Sequence, residues 1–131
     1  GCDGLDGILN VKNFDTKLAE GVMLLTPFDA TSTDAKTQAF VKSYTEKYKI
    51  APNQFAADAY DVAYAIYEAC KAGNVTADMT AKEINDIMVA QLTTMTFDGL
   101  TGKAMTWAKS GAVDKAPMAV VVKNGAYVGV E

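Results

Sequence analysis

The 131-residue chain contains no histidine and only two cysteines, Cys2 and Cys70. Histidine is the usual general base and the commonest metal ligand, so its absence excludes histidine-based triads and most metal sites. The cysteines lie far apart and form no CxxC pair, which excludes a zinc or thioredoxin-like motif. They can form a disulfide only if the fold brings them together, and a free buried thiol is favoured for Cys70. We expect no metal site and no cofactor.

The chain also lacks a cluster of basic residues and a long apolar run. It has 12 basic and 16 acidic residues, and this balance excludes nucleic acid as an expected partner. The apolar run that starts at Met118 is far too short to span a bilayer. No apolar leader precedes Gly1 and Cys2, so the chain either begins as a mature protein or is a piece of a longer one.

Half of the residues are hydrophobic and 21% are charged, which is typical of one globular domain. Helical spacing and cap residues predict three helices, and short apolar runs predict four or five strands. The helices are expected at about 34–49, with Asp34 or Thr33 as cap, at 54–72, and after a capping box formed by Thr80 and Glu83. The strands are expected at about 22–25, 103–107, 118–123 and 126–130, the last two joined by an Asn124-Gly125 turn.

The predicted strands are apolar on both faces, as in parallel sheets that helices cover on both sides. We therefore expect an α/β fold. The helices and strands do not alternate regularly, however, and three consecutive helices followed by terminal strands do not close a doubly wound sheet. This order indicates missing structural partners, so we expect exposed apolar faces and self-association.

An acidic turn with the sequence GCDGLDG opens the chain and places Asp3 and Asp6 between three glycines. Glycine tolerates unusual backbone angles and lets a ligand approach the main chain. A carboxylate on such a turn suits an ammonium group. The alternative is that both aspartates are turn residues whose side chains bond to their own backbone.

Two other patterns resemble sites. Asp58 and Asp61 lie one helical turn apart and could bind a cation, but a solvated helix face is the favoured interpretation. The segment from Gly99 to Lys103 lacks the spacing of a phosphate-binding loop. Because no nucleophile, base or metal cluster is visible in the sequence, we expect that the protein is not an enzyme.

Three segments carry a resemblance to a known family: GCDGLDGIL, the stretch from EGVMLLTPFDA to IYEA, and FDGLTGKAMTW with the later APMAVVVKNGAYV. Together they resemble the C-terminal portion of branched-chain amino acid binding proteins of ABC transporters. The resemblance covers nearly the whole chain in the same order. It implies an α/β fragment of the two-lobed, Rossmann-like type I periplasmic-binding-protein fold, with 1–27 and 118–131 in the second lobe and 28–117 in the first.

The resemblance also implies a binding site for an amino acid in a cleft between the lobes. Asp3 would bind the ligand ammonium group, with Gly4, Leu5 and Asp6 beside it on the same turn. Leu5 stands where family members often carry an aromatic residue. Phe28 lies at the presumed crossover between the lobes and would flank the cleft. The groups that hold the ligand carboxylate would lie upstream, outside this chain.

The implied function is that of an extracytoplasmic solute-binding component, periplasmic or lipid-anchored at the outer face of the membrane. Its partners would be the amino acid and the ABC permease subunits. Two alternatives stay open: a ligand-sensing regulatory domain of related fold, and an autonomous α/β domain of unrelated function.

Overall fold

The computed structural model describes residues 1–130, which form three short 3-10 helices, three α-helices and five strands. This agrees with the predicted α/β class, with three helices and short strands. The 3-10 helices are Asp3–Leu5, Ile8–Asn10 and Thr16–Ala19; the α-helices are α1 Ala35–Tyr48, α2 Gln54–Ala72 and α3 Ala81–Leu92; the strands are β1 Met23–Leu25, β2 Thr106–Trp107, β3 Val113–Asp114, β4 Ala119–Lys123 and β5 Ala126–Gly129.

Local capping interactions fix the helix starts that the sequence predicts. The Asp34 carboxylate accepts the Thr37 N–H at 3.0 Å and opens α1. At α3 the Thr80 hydroxyl accepts the Glu83 N–H at 3.3 Å, and the Glu83 carboxylate accepts the Thr80 N–H at 2.8 Å. Each cap satisfies backbone donors that have no partner inside the helix. The predicted capping box is therefore confirmed.

The chain divides into two compact units. The first contains Gly1–Ala57 and the C-terminal segment from Pro117, and the second contains Asp58–Ala116. These boundaries differ from the lobes expected from the resemblance, and the assignment of residues to lobes remains a prediction.

The first unit is built on a three-stranded sheet in the order β1-β4-β5, with both pairs antiparallel. Leu24, Val120 and Val122 are buried on one face of this sheet. Met23 and Leu25 lie on the opposite face and are 50% and 59% exposed. The expectation of parallel strands covered on both faces is thus wrong here, because the pairing is antiparallel and the Met23 side of β1 is open.

The hairpin between β4 and β5 turns at Asn124 and Gly125, whose φ angles are 52° and 73°. Positive φ at both central residues matches the twist of the flanking strands, and Asn-Gly adopts it readily. The hairpin places Tyr127 opposite Val122. From there the Tyr127 hydroxyl accepts the Gly7 N–H at 3.1 Å and donates to the Leu5 carbonyl at 3.3 Å. Strand β5 therefore anchors the N-terminal turn.

The second unit has a small core of Ala65 from α2 with Phe97 and Met105. Phe97 and Met105 exchange two backbone hydrogen bonds of 2.9 Å, and Trp107 packs against the cluster. The predicted strand at 103–107 is shorter in the structure, where β2 comprises two residues.

Asp61 is buried in the second unit, with 5% of its surface exposed. Its carboxylate accepts the Leu100 N–H, the Thr101 N–H and the Thr101 hydroxyl, each at 2.8 Å. The interpretation of Asp61 as part of a solvated helix face is therefore wrong, since it closes the turn at residues 99–102. Asp58, by contrast, is 39% exposed in its side chain and pairs with Lys115 at 3.2 Å.

The two cysteines are both free thiols, so they form no disulfide. Cys2 is exposed. Cys70 is half-buried rather than fully buried, and its sulfur lies 3.4 Å from the sulfur of Met88.

We expect Asp61→Ala to lower the free energy of unfolding of the second unit by about 3 kcal/mol, because buried donors lose their acceptor. Asp86→Ala is the control in the same unit and should cost no more than about 1 kcal/mol, because Asp86 pairs with Lys82 at the surface. Urea unfolding can be followed by the fluorescence of Trp107, the single tryptophan. Equal losses in the two variants would contradict the role given to Asp61.

The Tyr127 phenol provides a pH-dependent test of the first unit. Burial raises its pKa above the ordinary value, more than its backbone hydrogen bonds lower it. The unfolded chain then loses the phenol proton near pH 10, before the folded chain does. The stability that this group contributes is therefore complete below about pH 10 and is lost as the pH rises through the folded pKa.

We expect the difference in unfolding free energy between the wild type and Tyr127→Phe to stay constant up to about pH 10 and to shrink above it. Tyr60 also has a raised pKa, chiefly through its hydrogen bond with Tyr64, but it is present in both proteins and cancels. Urea unfolding followed by circular dichroism at a series of pH values measures the difference. Parallel pH curves for the two proteins would refute this account.

Candidate functional site

The acidic turn at the N-terminus is a single 3-10 turn over Asp3–Leu5. The Leu5 N–H donates to the Cys2 carbonyl at 3.1 Å, and the Asp6 N–H donates to the Asp3 carbonyl at 2.8 Å. Gly7 follows with φ of 91°, a left-handed conformation that glycine adopts without strain. The turn therefore needs glycine at position 7.

Gly4 is a different case, because its φ is not positive. A Cβ atom built on Gly4 would meet the Cys2 sulfur at 3.7 Å, an ordinary contact distance. Neither the conformation nor the packing of the turn therefore requires glycine at position 4. Gly4 is exposed and contributes its N–H to the turn.

Asp3 is exposed, and its Oδ1 atom accepts the Gly4 N–H at 2.9 Å. Its second carboxylate oxygen has no hydrogen-bond partner among residues 1–130. That oxygen is open to a donor from outside the unit. A carboxylate of this kind can accept an ammonium group through a charge-assisted hydrogen bond.

Asp6 is half-buried and lies at the start of α2. Its Oδ2 atom accepts the Gln54 N–H at 2.8 Å. A carboxylate at a helix N-terminus is stabilised both by the unpaired N–H groups and by the helix dipole. One oxygen of the Asp6 carboxylate is therefore bonded inside the unit, and the residue is less exposed than Asp3.

Sequence reasoning missed two residues of this site, and the first is Gln54. It is 2% exposed, and its side-chain Nε2 donates to the Asp3 carbonyl at 2.9 Å. Tyr127 was missed as well, although it holds Gly7 and Leu5. Both residues reach the turn from more than 40 positions away, and no local pattern signals such contacts. The one clue in the sequence is a glutamine at the first position of a predicted helix.

The other predicted residues occupy different surroundings. Leu5 follows Gly4 on the turn and is 37% exposed. Phe28 is buried and packs edge-to-face on Phe40, with ring centroids 5.9 Å apart. It lines a small concavity of about 30 Å³ together with Asp6. The structure thus brings Asp3, Gly4, Leu5 and Asp6 together on one turn. Phe28 lies in the interior of the first unit and shares only the small concavity with Asp6.

Each unit also carries a larger concave surface. In the first unit, a concavity of about 240 Å³ lies beside the turn and is lined in part by Asp6, Asn53 and Tyr127. In the second unit, an apolar groove of about 350 Å³ has Trp107 on its wall and Lys115 at its edge. Within residues 1–130, no three histidine, cysteine or acidic side chains gather as metal ligands would.

A sequence profile of the periplasmic binding protein family matches residues 8–126. No curated protein matches the chain. Among solved structures, the substrate-binding protein LivJ from Streptococcus pneumoniae, a branched-chain amino acid transporter component in complex with isoleucine, is 26% identical. The match covers 99% of this chain and 36% of that one, with a TM-score of 0.76.

Two further structures share the fold. The leucine-binding protein LivK from Thermotoga maritima is 20% identical over 99% of this chain and 35% of its own, with a TM-score of 0.74. An ABC transporter solute-binding protein from R. palustris, in complex with benzoate, is 22% identical over 95% of this chain and 32% of its own, also with a TM-score of 0.74. The chain therefore spans about a third of the length of these structures. With a family profile that matches most of its residues and a fold shared with these proteins, the chain belongs to the periplasmic binding protein family.

Proposed function

We propose that the chain is the C-terminal third of an extracytoplasmic solute-binding protein of an ABC transporter and that Asp3 binds the α-ammonium group of an amino acid. The observation that carries this proposal is the carboxylate of Asp3, which is exposed and has one oxygen without a hydrogen-bond partner among residues 1–130, whereas Asp6 on the same turn is half-buried. LivJ, in complex with isoleucine, is 26% identical over almost the whole chain and supports the choice of ligand.

The physical requirements of the ligand agree with this role. A small zwitterion that is buried in a cleft must have both of its charges satisfied. Asp3 can satisfy the ammonium group, and a first-lobe segment outside this chain would bind the ligand carboxylate. In the proposed two-lobed protein, 1–27 and 118–131 belong to the second lobe and 28–117 to the first. The ligand would then stabilise the closed state by bridging the two lobes.

The charge of Asp3 also bears on the class of ligand. The R. palustris relative is in complex with benzoate, which carries a carboxylate and no ammonium group. A free carboxylate on the protein repels such an anion and attracts an ammonium group. An amino acid is therefore the better ligand for this turn than an aromatic acid.

The remaining parts of the proposal follow from the family. Periplasmic binding proteins act outside the cytoplasm and bind solutes, and we propose that this protein is not an enzyme and delivers its ligand to ABC permease subunits. A ligand-sensing regulatory role is not proposed, since the matching structures are transporter substrate-binding proteins. None of the helices in residues 1–130 is long and apolar enough to cross a membrane.

In the two-lobed protein, Asp3→Asn should weaken binding of leucine or isoleucine by about 10- to 100-fold, the usual loss for a hydrogen bond to a charged group. Binding of the matching 2-hydroxy acid, which lacks the ammonium group, should not weaken. Asp15→Asn is the matched control, because Asp15 is an exposed aspartate that caps another 3-10 turn of the same unit. Unchanged calorimetric affinity for amino acids in Asp3→Asn would refute the role of Asp3.

The 131-residue chain by itself should show no measurable affinity for amino acids, because it supplies one charged contact only. It should self-associate through its exposed apolar surface, which includes Met23 and Leu25. Light scattering measures the association, and Leu25→Lys should reduce it. A monodisperse monomer at high protein concentration would contradict the expected self-association.

A further inference from the structure

We propose that Gln54 is a positioning residue for the ammonium contact: its side-chain amide holds the turn that presents Asp3. The inference rests on the proposed function, in which Asp3 contacts the ligand. Gln54 itself is 2% exposed and does not present its side chain to solvent. It would therefore act through Asp3 and not by touching the ligand.

Two hydrogen bonds of one residue hold the two ends of the turn. The Gln54 side-chain Nε2 donates to the carbonyl of Asp3 at 2.9 Å, and the Gln54 backbone N–H donates to the carboxylate of Asp6 at 2.8 Å. The side-chain bond therefore acts on the residue that carries the proposed ligand contact. The backbone bond acts three positions later and fixes the end of the same turn.

The turn has few distant contacts of its own, although β1 holds Gly1 just before it, where the Leu25 N–H donates to the Gly1 carbonyl at 3.3 Å. It comprises three residues, none of them buried, and its N-cap residue Cys2 makes no side-chain capping bond. A 3-10 turn this short has poor internal hydrogen-bond geometry and is not stable alone. Tyr127 supports the later part, at Leu5 and Gly7, but does not bond to Asp3. Among residues 1–130, Gln54 is thus the distant side chain that bonds directly to residue 3.

Positioning of this kind raises affinity by lowering the entropy lost on binding. If the Asp3 backbone is fixed before the ligand arrives, the ligand does not have to order it. Loss of the Gln54 amide should therefore weaken binding even though every atom that touches the ligand is unchanged.

The decisive variant is Gln54→Met, which keeps the length of the side chain, removes the Nε2 donor and leaves the backbone bond to Asp6. In the two-lobed protein we expect leucine or isoleucine to bind about two- to tenfold more weakly, the loss typical of one neutral hydrogen bond. Gln38→Met is the matched control, because Gln38 is an exposed glutamine of α1 whose amide donates to the Ser32 carbonyl. It should leave the affinity unchanged.

A double-mutant cycle separates positioning from general destabilisation. If Gln54 acts through Asp3, Gln54→Met should have no further effect in an Asp3→Asn background. Equal effects of Gln54→Met in both backgrounds would show a purely structural role and overturn the inference. If Asp3→Asn weakens binding while Gln54→Met does not, the inference fails and the proposed function stands. If Asp3→Asn has no effect, both fail.

A second measurement does not depend on the variant folding. In the wild-type 131-residue chain, the amide protons of Asp6 and Gln54, which donate to Asp3 and to Asp6, should exchange slowly with solvent. Exchange of both amides at the rates of an unstructured peptide would overturn the inference. Gln54→Met should speed exchange at Asp6 and leave the amides in the middle of α1 unchanged.

Discussion

The hydrogen bonds between the N-terminal turn and the start of α2 fix the geometry of the first unit's candidate site. The turn buries none of its residues, so hydrophobic packing does not fix its shape. It is held instead by hydrogen bonds to Gln54 and Tyr127, which follow it by 48 residues or more, and by the backbone hydrogen bond of Gly1 with β1. The sheet and the helix must therefore form before Asp3 has a defined position. The acidic residues of the turn are neighbours in sequence, but the geometry of the turn is a product of the fold.

The predictions that succeeded are those that depend on neighbours in sequence. Asp34 starts α1, and Thr80 with Glu83 starts α3, because a cap acts over two or three residues. Asn124 and Gly125 turn the hairpin for a similar reason, since the backbone angles of two residues set its geometry. Where one turn of backbone contains the whole interaction, the residue types are sufficient to predict it.

The errors concern partners that are distant in sequence. Asp61 was interpreted as solvated because helical spacing places it near Asp58, whereas its partners Leu100 and Thr101 come 39 and 40 residues later. The direction of the strands was also misjudged. Apolar residues on both faces are typical of a covered parallel sheet, yet β1 exposes Met23 and Leu25 in an antiparallel sheet. The sequence shows that a face of a strand is apolar, but it does not show whether another element covers that face.

Three aspartates of this chain differ in how available their carboxylates are to a donor from outside. Asp61 accepts three hydrogen bonds inside the second unit, and Asp6 is bonded to the first N–H of α2. A ligand cation at Asp61 would compete with donors that are already in place, and the free energy gained would be reduced by the bonds that it displaced. Asp3 and Asp6 each keep one carboxylate oxygen without a partner among residues 1–130, but Asp3 is exposed whereas Asp6 is half-buried. Exposure therefore distinguishes Asp3 from Asp6, and the lack of competing hydrogen bonds distinguishes it from Asp61.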